Sequence, residues 1–360
     1  MNIRELAKSL NLSVSTVSRA LNGYSDVSET TRARVVSAAK SSGYTADPAA
    51  RGLRKRSSGL IAFVLSPPQK NFANPFFLDL MVGIEDRLRG TDFHLIVASA
   101  SSFEDEIERF KELVERHRVD GLIFARTRRI DPRISYLQER GVPFATHGRT
   151  ETGSPAPFLD IDHEVVGNVG CARFIALGHR RIGLLNTPSE LMFSHHRRQG
   201  YERALRFASL DLDPELIVEE ELTEEGGAAG VRRLLALSQP PTAILCGNDI
   251  VAMGAMRTLH ESGRLPGRDV GIIGSDDNPF GPFMSPPLTT FTAPRVAVGR
   301  RLAELLVKAM DGVPAEELQE IWKPELVIRA SDGQPRLMSE TRPALRAKRT
   351  RLQSNTSGNL

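Results

Sequence analysis

The chain has 360 residues, 40% of them hydrophobic and 25% charged, which exceeds what one hydrophobic core usually fills and points to more than one domain. This composition excludes a disordered or fibrous chain; no run of about 18 apolar residues could span a bilayer, and residues 1–5 lack the apolar core of an export signal, so a cytoplasmic location is expected. The net charge of +3 hides an asymmetry: residues 1–57 carry +6, residues 331–360 carry +4, and the middle carries −7. A basic head on an acidic body suggests that the head alone docks on a polyanion. The two cysteines, Cys171 and Cys246, are far apart and in no metal-ligand spacing, which argues against a disulfide framework or a zinc site. Both read as buried small hydrophobes, and neither a cofactor nor a metal is expected.

The head reads as three short helices. Ile3, Leu6, Ala7 and Leu10 form one apolar stripe; Asn11 and Leu12 make a tight connection; Ser13 is placed to cap a second helix with Val14, Val17, Ala20 and Leu21 inward. Asn22-Gly23 stops that helix, and Ser28 is placed to cap a third with Val35, Ala38 and Ala39 inward. Two helices joined by so short a turn have the geometry of a helix-turn-helix, with Ser15, Thr16, Ser18 and Arg19 outward as hydrogen-bonding groups. A plain three-helix bundle with a solvated polar face has the same spacing.

Residues 47–55 follow as a short helix, in which Asp47 caps, Pro48 suits the first turn and Ala49 and Ala50 favour helix. It is too short to be stable alone, and Gly52 weakens it by about 1 kcal/mol relative to alanine. Such a segment orders on binding a partner or serves as a charged linker.

From Gly59 onward short apolar runs alternate with amphipathic stretches. Residues 60–65, 93–97, 121–124 and 143–145 read as buried parallel strands, with helices over 77–88 and 103–117. The order repeats after about residue 158: strands at 181–185, 243–246 and 270–274, helices at 199–207 and 251–262. That alternation predicts two doubly wound α/β lobes, whose ligands bind beyond the carboxyl ends of the strands. The three expected domains are a head and hinge over 1–57, a sensing and dimerisation domain over 58–331, and a flexible basic tail over 332–360, whose leucines are too interrupted for a coiled coil.

Two sets of strings carry a family resemblance over residues 1 to about 330. In the head they are Ile3-Arg4-Glu5-Leu6-Ala7, Leu12-Ser13-Val14-Ser15-Thr16-Val17-Ser18-Arg19-Ala20-Leu21-Asn22 and Val27-Ser28-Glu29-Thr30-Thr31-Arg32. In the body they are Gly178-His179-Arg180-Arg181-Ile182-Gly183, Cys246-Gly247-Asn248-Asp249 and Ile273-Gly274-Ser275-Asp276-Asp277. The chain resembles the LacI/GalR family of repressors. The resemblance implies that Val14 and Ser15 touch base edges, that Arg19 reaches a base or phosphate, and that Ser13, Thr16, Ser18 and Asn22 hold the DNA backbone. It also implies that paired hinges enter the minor groove with Ala50 and Leu53 against the DNA, Leu53 as the wedge. The hinge departs from the family at Ala46 and Asp47, where members usually carry Pro and Asn.

For the body, the resemblance implies lobes of the periplasmic sugar-binding type, with a ligand closed in the cleft separating them. Arg197, Asn248 and Asp276 carry over as ligand contacts, Asn74-Pro75-Phe76-Phe77 as the opposite wall, and Arg126, His147 and Asp162 as strand-end groups. Phe72, Phe76 or Phe193 would give a sugar ring its apolar plate, while Arg, Asn and Asp supply donors and acceptors for hydroxyls. Several have plainer readings: Asp162 as the cap of the next helix, Asn74 as a turn residue, His195-His196 as a solvated pair. Arg126-Thr127 and His147-Gly148-Arg149 are similar to members that sense α-glucosides. The expected partners are palindromic operator DNA, a small effector, a sugar first among them, and a second copy of the chain; no membrane contact is expected. No phosphate-cradling glycine loop or nucleophile elbow indicates an enzyme. An exported sugar-binding protein would share the body but should lack the basic head, and an activator or corepressor-dependent repressor would share all of it.

Overall fold

The structure is a computed structural model that describes residues 1–21, 24–44, 57–65, 75–116 and 118–335. The head contains three helices, α1 (Ile3–Leu10), α2 (Val14–Leu21) and α3 (Glu29–Ser41). Asn2 opens α1 with a capping box: its side-chain oxygen accepts the Arg4 and Glu5 amides at 3.0 Å, and the Glu5 carboxylate accepts the Asn2 amide at 3.0 Å. Asn11, in the left-handed region at φ 52°, closes the helix. The Ser13 hydroxyl accepts the Thr16 amide at 3.0 Å and the Ser28 hydroxyl accepts the Thr31 amide at 3.3 Å, so both expected caps form. Leu6, Leu10, Val17, Ala20, Val35 and Ala39 make the core of the head.

Two inward and outward assignments in α2 are reversed. Val14 is 39% exposed, because the first residue of a helix has no preceding turn to cover it. One turn later Ser18 falls on the packed side, buried with Val17 and Ala20.

The chain divides into two compact units, Met1–Asp160 with Pro294–Trp322, and Ile161–Ala293 with the chain from Lys323 on. The sheet of the first unit is built from β1 (Leu60–Leu65), β2 (His94–Ser99), β3 (Gly121–Ala125), β4 (Phe144–His147), β5 (Phe158–Ile161) and β11 (Gln319–Trp322), in the order β11-β5-β4-β3-β1-β2. Strands β1 to β5 are mutually parallel. Its helices are α4 (Pro75–Leu88), α5 (Phe103–Glu115), α6 (Pro132–Arg140) and α11 (Arg295–Met310).

The second unit repeats the plan with β6 (Ile182–Asn186), β7 (Ile217–Glu219), β8 (Ala243–Cys246), β9 (Gly271–Ser275), β10 (Thr289–Thr292) and β12 (Glu325–Val327), ordered β12-β10-β9-β8-β6-β7. Only β12 runs antiparallel, against β10. Its helices are α7 (His163–Ala176), α8 (Met192–Phe207), α9 (Glu224–Leu235) and α10 (Asp249–Glu261). The doubly wound parallel sheets agree with the expected fold class. Helix α8 begins seven residues before the expected 199, since the polar run His195-His196-Arg197-Arg198 masks its apolar period. The residues just past 331 still bond to the second unit. Asp332 accepts from Arg173 Nε at 2.7 Å and from the Thr289 hydroxyl at 2.8 Å, and the Gly333 carbonyl lies 2.8 Å from His179 Nε2.

Three helix pairs pack backbone against backbone through reciprocal glycines. A Cβ on Gly83 of α4 would stand 2.0 Å from the Val296 carbonyl oxygen of α11, and one on Gly299 2.1 Å from that of Leu80. Gly167 of α7 and Gly200 of α8 meet the Arg197 and Glu164 carbonyls at 2.0 Å each, and Gly227 of α9 and Gly254 of α10 meet those of Val251 and Glu224 at 2.1 and 2.0 Å. No other side chain allows these approaches. Substituting Gly200→Ala should therefore push α8 from α7 and destabilise the second unit by about 1–3 kcal/mol, read as a fall of several degrees in melting temperature. An unchanged melting temperature would show that the contact tolerates a methyl group.

Candidate ligand-sensing and DNA-reading sites

The exposed end of α2 presents Val14, Ser15 and Arg19, with Ser13 and Thr16 engaged in the cap: the Ser13 hydroxyl lies 2.7 Å from that of Ser15 and 2.8 Å from that of Thr16. Arg19 is ion-paired with Asp26 and lies over the Tyr24 ring at 5.7 Å. Its guanidinium is thus already held beside an anionic group. Asn22, the hinge with Ala50 and Leu53, and Phe72 and Asn74 lie outside the described residues.

In the first unit, parallel β1, β3 and β4 end on one edge of the sheet. His147 is the last residue of β4 and pairs in register with Ala125, which is followed at once by Arg126. Arg126 sits at φ 55°, and its guanidinium lies 5.3 Å from the Phe77 ring centre. Phe76 meets Phe77 and His147 edge-on, each at 5.3 Å. The structure therefore gathers Phe76, Phe77, Arg126 and His147. The His147 Nε2 is enclosed without a partner, and burial pulls its pKa down to about 4, so the imidazole is neutral.

The turn after β3 is anchored from below by Arg133. Its guanidinium donates to Asp131 at 2.9 and 2.7 Å, to Glu106 at 2.6 Å and to the Arg126 carbonyl at 3.0 Å, and stacks 4.7 Å from the Phe124 ring centre. Burial works against this charge, but the two carboxylates outweigh it and raise its pKa.

In the second unit the edge is organised by Arg197, 1% exposed, which reaches out of α8. Nη1 donates to Asn186 Oδ1 at 2.9 Å, Nη2 lies 3.1 Å from His163 Nδ1, and Nε has no protein partner. Phe193 packs beside both groups, 5.6 Å from the Arg197 guanidinium and 5.5 Å from the His163 ring. Burial lowers the Arg197 pKa to about 10, with the Asp276 carboxylate opposing the fall. The side chain remains charged at neutral pH. Asp276 follows β9 at φ 113°, its amide donating to the Phe291 carbonyl at 2.8 Å.

Two predicted contacts carry structural duties. Asp162 Oδ1 accepts the Glu164 and Val165 amides at 3.1 and 3.3 Å, and Asn248 Oδ1 accepts the Val251 amide at 2.9 Å, so both cap helices. Asn186 and His163 were missed. Asn186 is the polar end of a buried strand, one residue past the expected boundary at 185, and His163 directly follows the predicted strand-end Asp162; a strand-end rule applied one residue further would have found them. Among the described residues no cluster of three or more His, Cys, Asp or Glu could hold a metal, and no helix is long and apolar enough to cross a membrane.

Because the folded pKa of His147 lies below the unfolded value of about 6.5, its contribution to stability is complete above pH 6.5 and is lost as the pH falls toward 4. Urea titrations at pH 5 and pH 7 should show a smaller pH dependence in His147→Gln than in the parent protein, and ring NMR should show no titration of His147 near pH 6.5. In the head, Asp26→Asn should release Arg19 and tighten binding to any duplex by about two- to fivefold in fluorescence anisotropy, the range of a surface ion pair of about 0.5–1 kcal/mol. Unchanged affinity would mean that the pair does not compete with phosphate.

Residues 2–47 match the family model for bacterial regulatory proteins, lacI family, and residues 171–331 match that of a periplasmic binding protein-like domain. The HTH-type transcriptional regulator AglR of Rhizobium meliloti (strain 1021) is 36% identical over 340 residues, covering 92% of this chain and 94% of AglR. The HTH-type transcriptional repressor CytR of Escherichia coli (strain K12) is 30% identical over 335 residues, covering 91% and 95%. Among solved structures, the transcriptional regulator CelR-cellobiose complex is similar with a TM-score of 0.71 at 32% identity, over 92% of this chain and 99% of that one. With its helix-turn-helix head, its two parallel-sheet units and this similarity along most of its length, the chain belongs to the LacI family of transcriptional regulators, DNA-binding proteins that are not enzymes.

Proposed function

We propose that the protein is a homodimeric repressor whose grip on a palindromic operator is released by a small sugar. The observation that carries the effector reading is Arg197: a charge buried at the carboxyl edge of a parallel sheet, with one N–H unused by the protein, beside an acidic group and a phenyl ring. A desolvated donor costs about 1–3 kcal/mol when unpaired, and a polyhydroxylated ligand would satisfy it while laying an apolar ring face on Phe193. In the first unit the aromatic pair Phe76 and Phe77 stands beside Arg126 and His147, which is the same pairing of plate and donor. The complex of a similar regulator with cellobiose supports a sugar, and the similarity to a named repressor supports repression.

On this reading Val14, Ser15 and Arg19 read the operator, Leu53 and Ala50 of paired hinges open its minor groove, and residues from 58 onward sense the effector. The effector acts through its differential affinity for the operator-bound and released states.

The test is a thermal-shift screen of disaccharides, cellobiose and α-glucosides among them, followed by anisotropy on operator fragments with and without the hit. A stabilising sugar that weakens operator binding is expected, and Asp276→Ala should abolish both effects. The logarithm of operator affinity should also fall linearly with the logarithm of salt concentration, with a slope of about −0.9 per phosphate neutralised. A sugar that tightens operator binding would make the protein corepressor-dependent, and a salt-insensitive complex would remove the proposed interface.

A further inference from the structure

The chain around Asp276 adopts a conformation that its residues disfavour. Asp276 at φ 113° and Asp277 at φ 47° are consecutive non-glycine residues with positive φ, and Asp276 lies outside even the left-handed region that Asp tolerates. Strain of this kind persists only where neighbouring groups fix it. One is Arg329, which donates to Asp277 Oδ1 at 2.6 Å and to the Leu288 carbonyl at 2.7 Å. The other comes from below the turn. Asp249, the first residue of α10, is 1% exposed; its Oδ2 accepts the Asn278 amide at 2.6 Å and its Oδ1 lies 2.5 Å from the Thr290 hydroxyl. A Cβ on Gly274 would stand 2.2 Å from Oδ1, so the glycine leaves the space that the carboxyl fills.

We infer that Asp249 is a positioning residue for the effector site: by holding Asn278 and Thr290 it fixes the strained 276–278 turn and so sets the place of the Asp276 carboxylate in the neighbourhood of Arg197. The inference rests on the sugar-sensing role proposed above, but its structural half stands apart from it. Burial and the nearby Asp276 charge raise the Asp249 pKa well above the ordinary carboxylate range. Oδ2 accepts the Asn278 amide and Oδ1 accepts the Thr290 hydroxyl; an asparagine of the same shape keeps an oxygen for Asn278 and turns an amide N–H toward the Thr290 oxygen. Asn is therefore the conservative substitution here, and Ala the disruptive one.

The experiment compares Asp249→Ala, Asp249→Asn and the control Leu259→Ala, which opens a cavity in the same core of the second unit without touching the turn. Native-state hydrogen exchange over residues 274–281 needs no ligand. It should accelerate by about tenfold or more in Asp249→Ala, stay near the parent rate in Asp249→Asn, and be unaffected locally by Leu259→Ala. Titration with the sugar found in the screen should then show about tenfold weaker binding for Asp249→Ala only. Gly274→Ala, which displaces the carboxyl group without removing it, should reproduce the exchange result. Unchanged exchange in Asp249→Ala overturns the inference, as does faster exchange in Asp249→Ala with no more loss of sugar affinity than in Leu259→Ala. If no sugar binds the parent protein, the sensing role fails, and the exchange result by itself still decides whether Asp249 holds the turn.

Discussion

Both α/β units depend on helices that touch through their backbones. Each reciprocal glycine pair brings two helices to a separation at which any added carbon would overlap a carbonyl oxygen. At the pair formed by Gly167 and Gly200 this has a direct chemical result. The carbonyl that Gly167 packs against is that of Arg197 itself, and the one that Gly200 packs against is that of Glu164, the residue after His163. The close approach of α7 and α8 thereby brings the Arg197 side chain to His163 and, across the end of β6, to Asn186. Taking a guanidinium out of water costs several kcal/mol, so these hydrogen bonds hold only if the helices stay in register. The packing of two apolar helix faces and the orientation of a buried cation are one constraint.

The two fully buried arginines show how the same group serves scaffold and site. Arg133 is saturated: two carboxylates, a backbone carbonyl and an aromatic face account for its charge and donors. It fixes the turn that carries Arg126 and leaves nothing over for a ligand. Arg197 has no carboxylate in direct contact, only the neutral amide of Asn186 and the ring of His163, and its Nε is idle. The contrast appears in their acidities, raised in the first and lowered to about 10 in the second. On the proposed reading, this incompletely satisfied cation at the carboxyl edge of a parallel sheet is the group that takes an external acceptor.

The head is arranged on a different principle. Its stability comes from caps and a small apolar core, while Val14, Ser15 and Arg19, the groups proposed to read DNA, stay on the surface. Arg19 is paired there with Asp26, and an exposed ion pair of this kind is weak, so on the proposed reading exchanging it for phosphate costs little. Ser13 illustrates the division of labour within one turn, since its hydroxyl is committed to starting α2 while Val14 and Ser15 beside it are exposed.

Much of this was legible in the sequence because it depends on short-range periodicity. The caps at Ser13 and Ser28, the strands at 60–65 and 243–246, and the polar groups Arg126, His147 and Asp276 at strand ends follow from local alternation and from the rule that parallel sheets bind at their carboxyl edge. What escaped was set by distant contacts. Arg197 was reached only through the family resemblance, because the polar run around it masked the start of α8, and its partners Asn186 and His163, which come from other elements, were missed. Ser18 and Val14 exchanged sides because helical period gives an angle but not the position of the neighbouring helices. The sequence by itself determined the order of elements and the head, which are written in spacing and composition, and its motif strings carried the resemblance to the family. Only the tertiary structure decided that α11 and β11 return to the first unit and which carboxylate supports which turn, because such pairings arise where residues from separate elements compete for the same buried space.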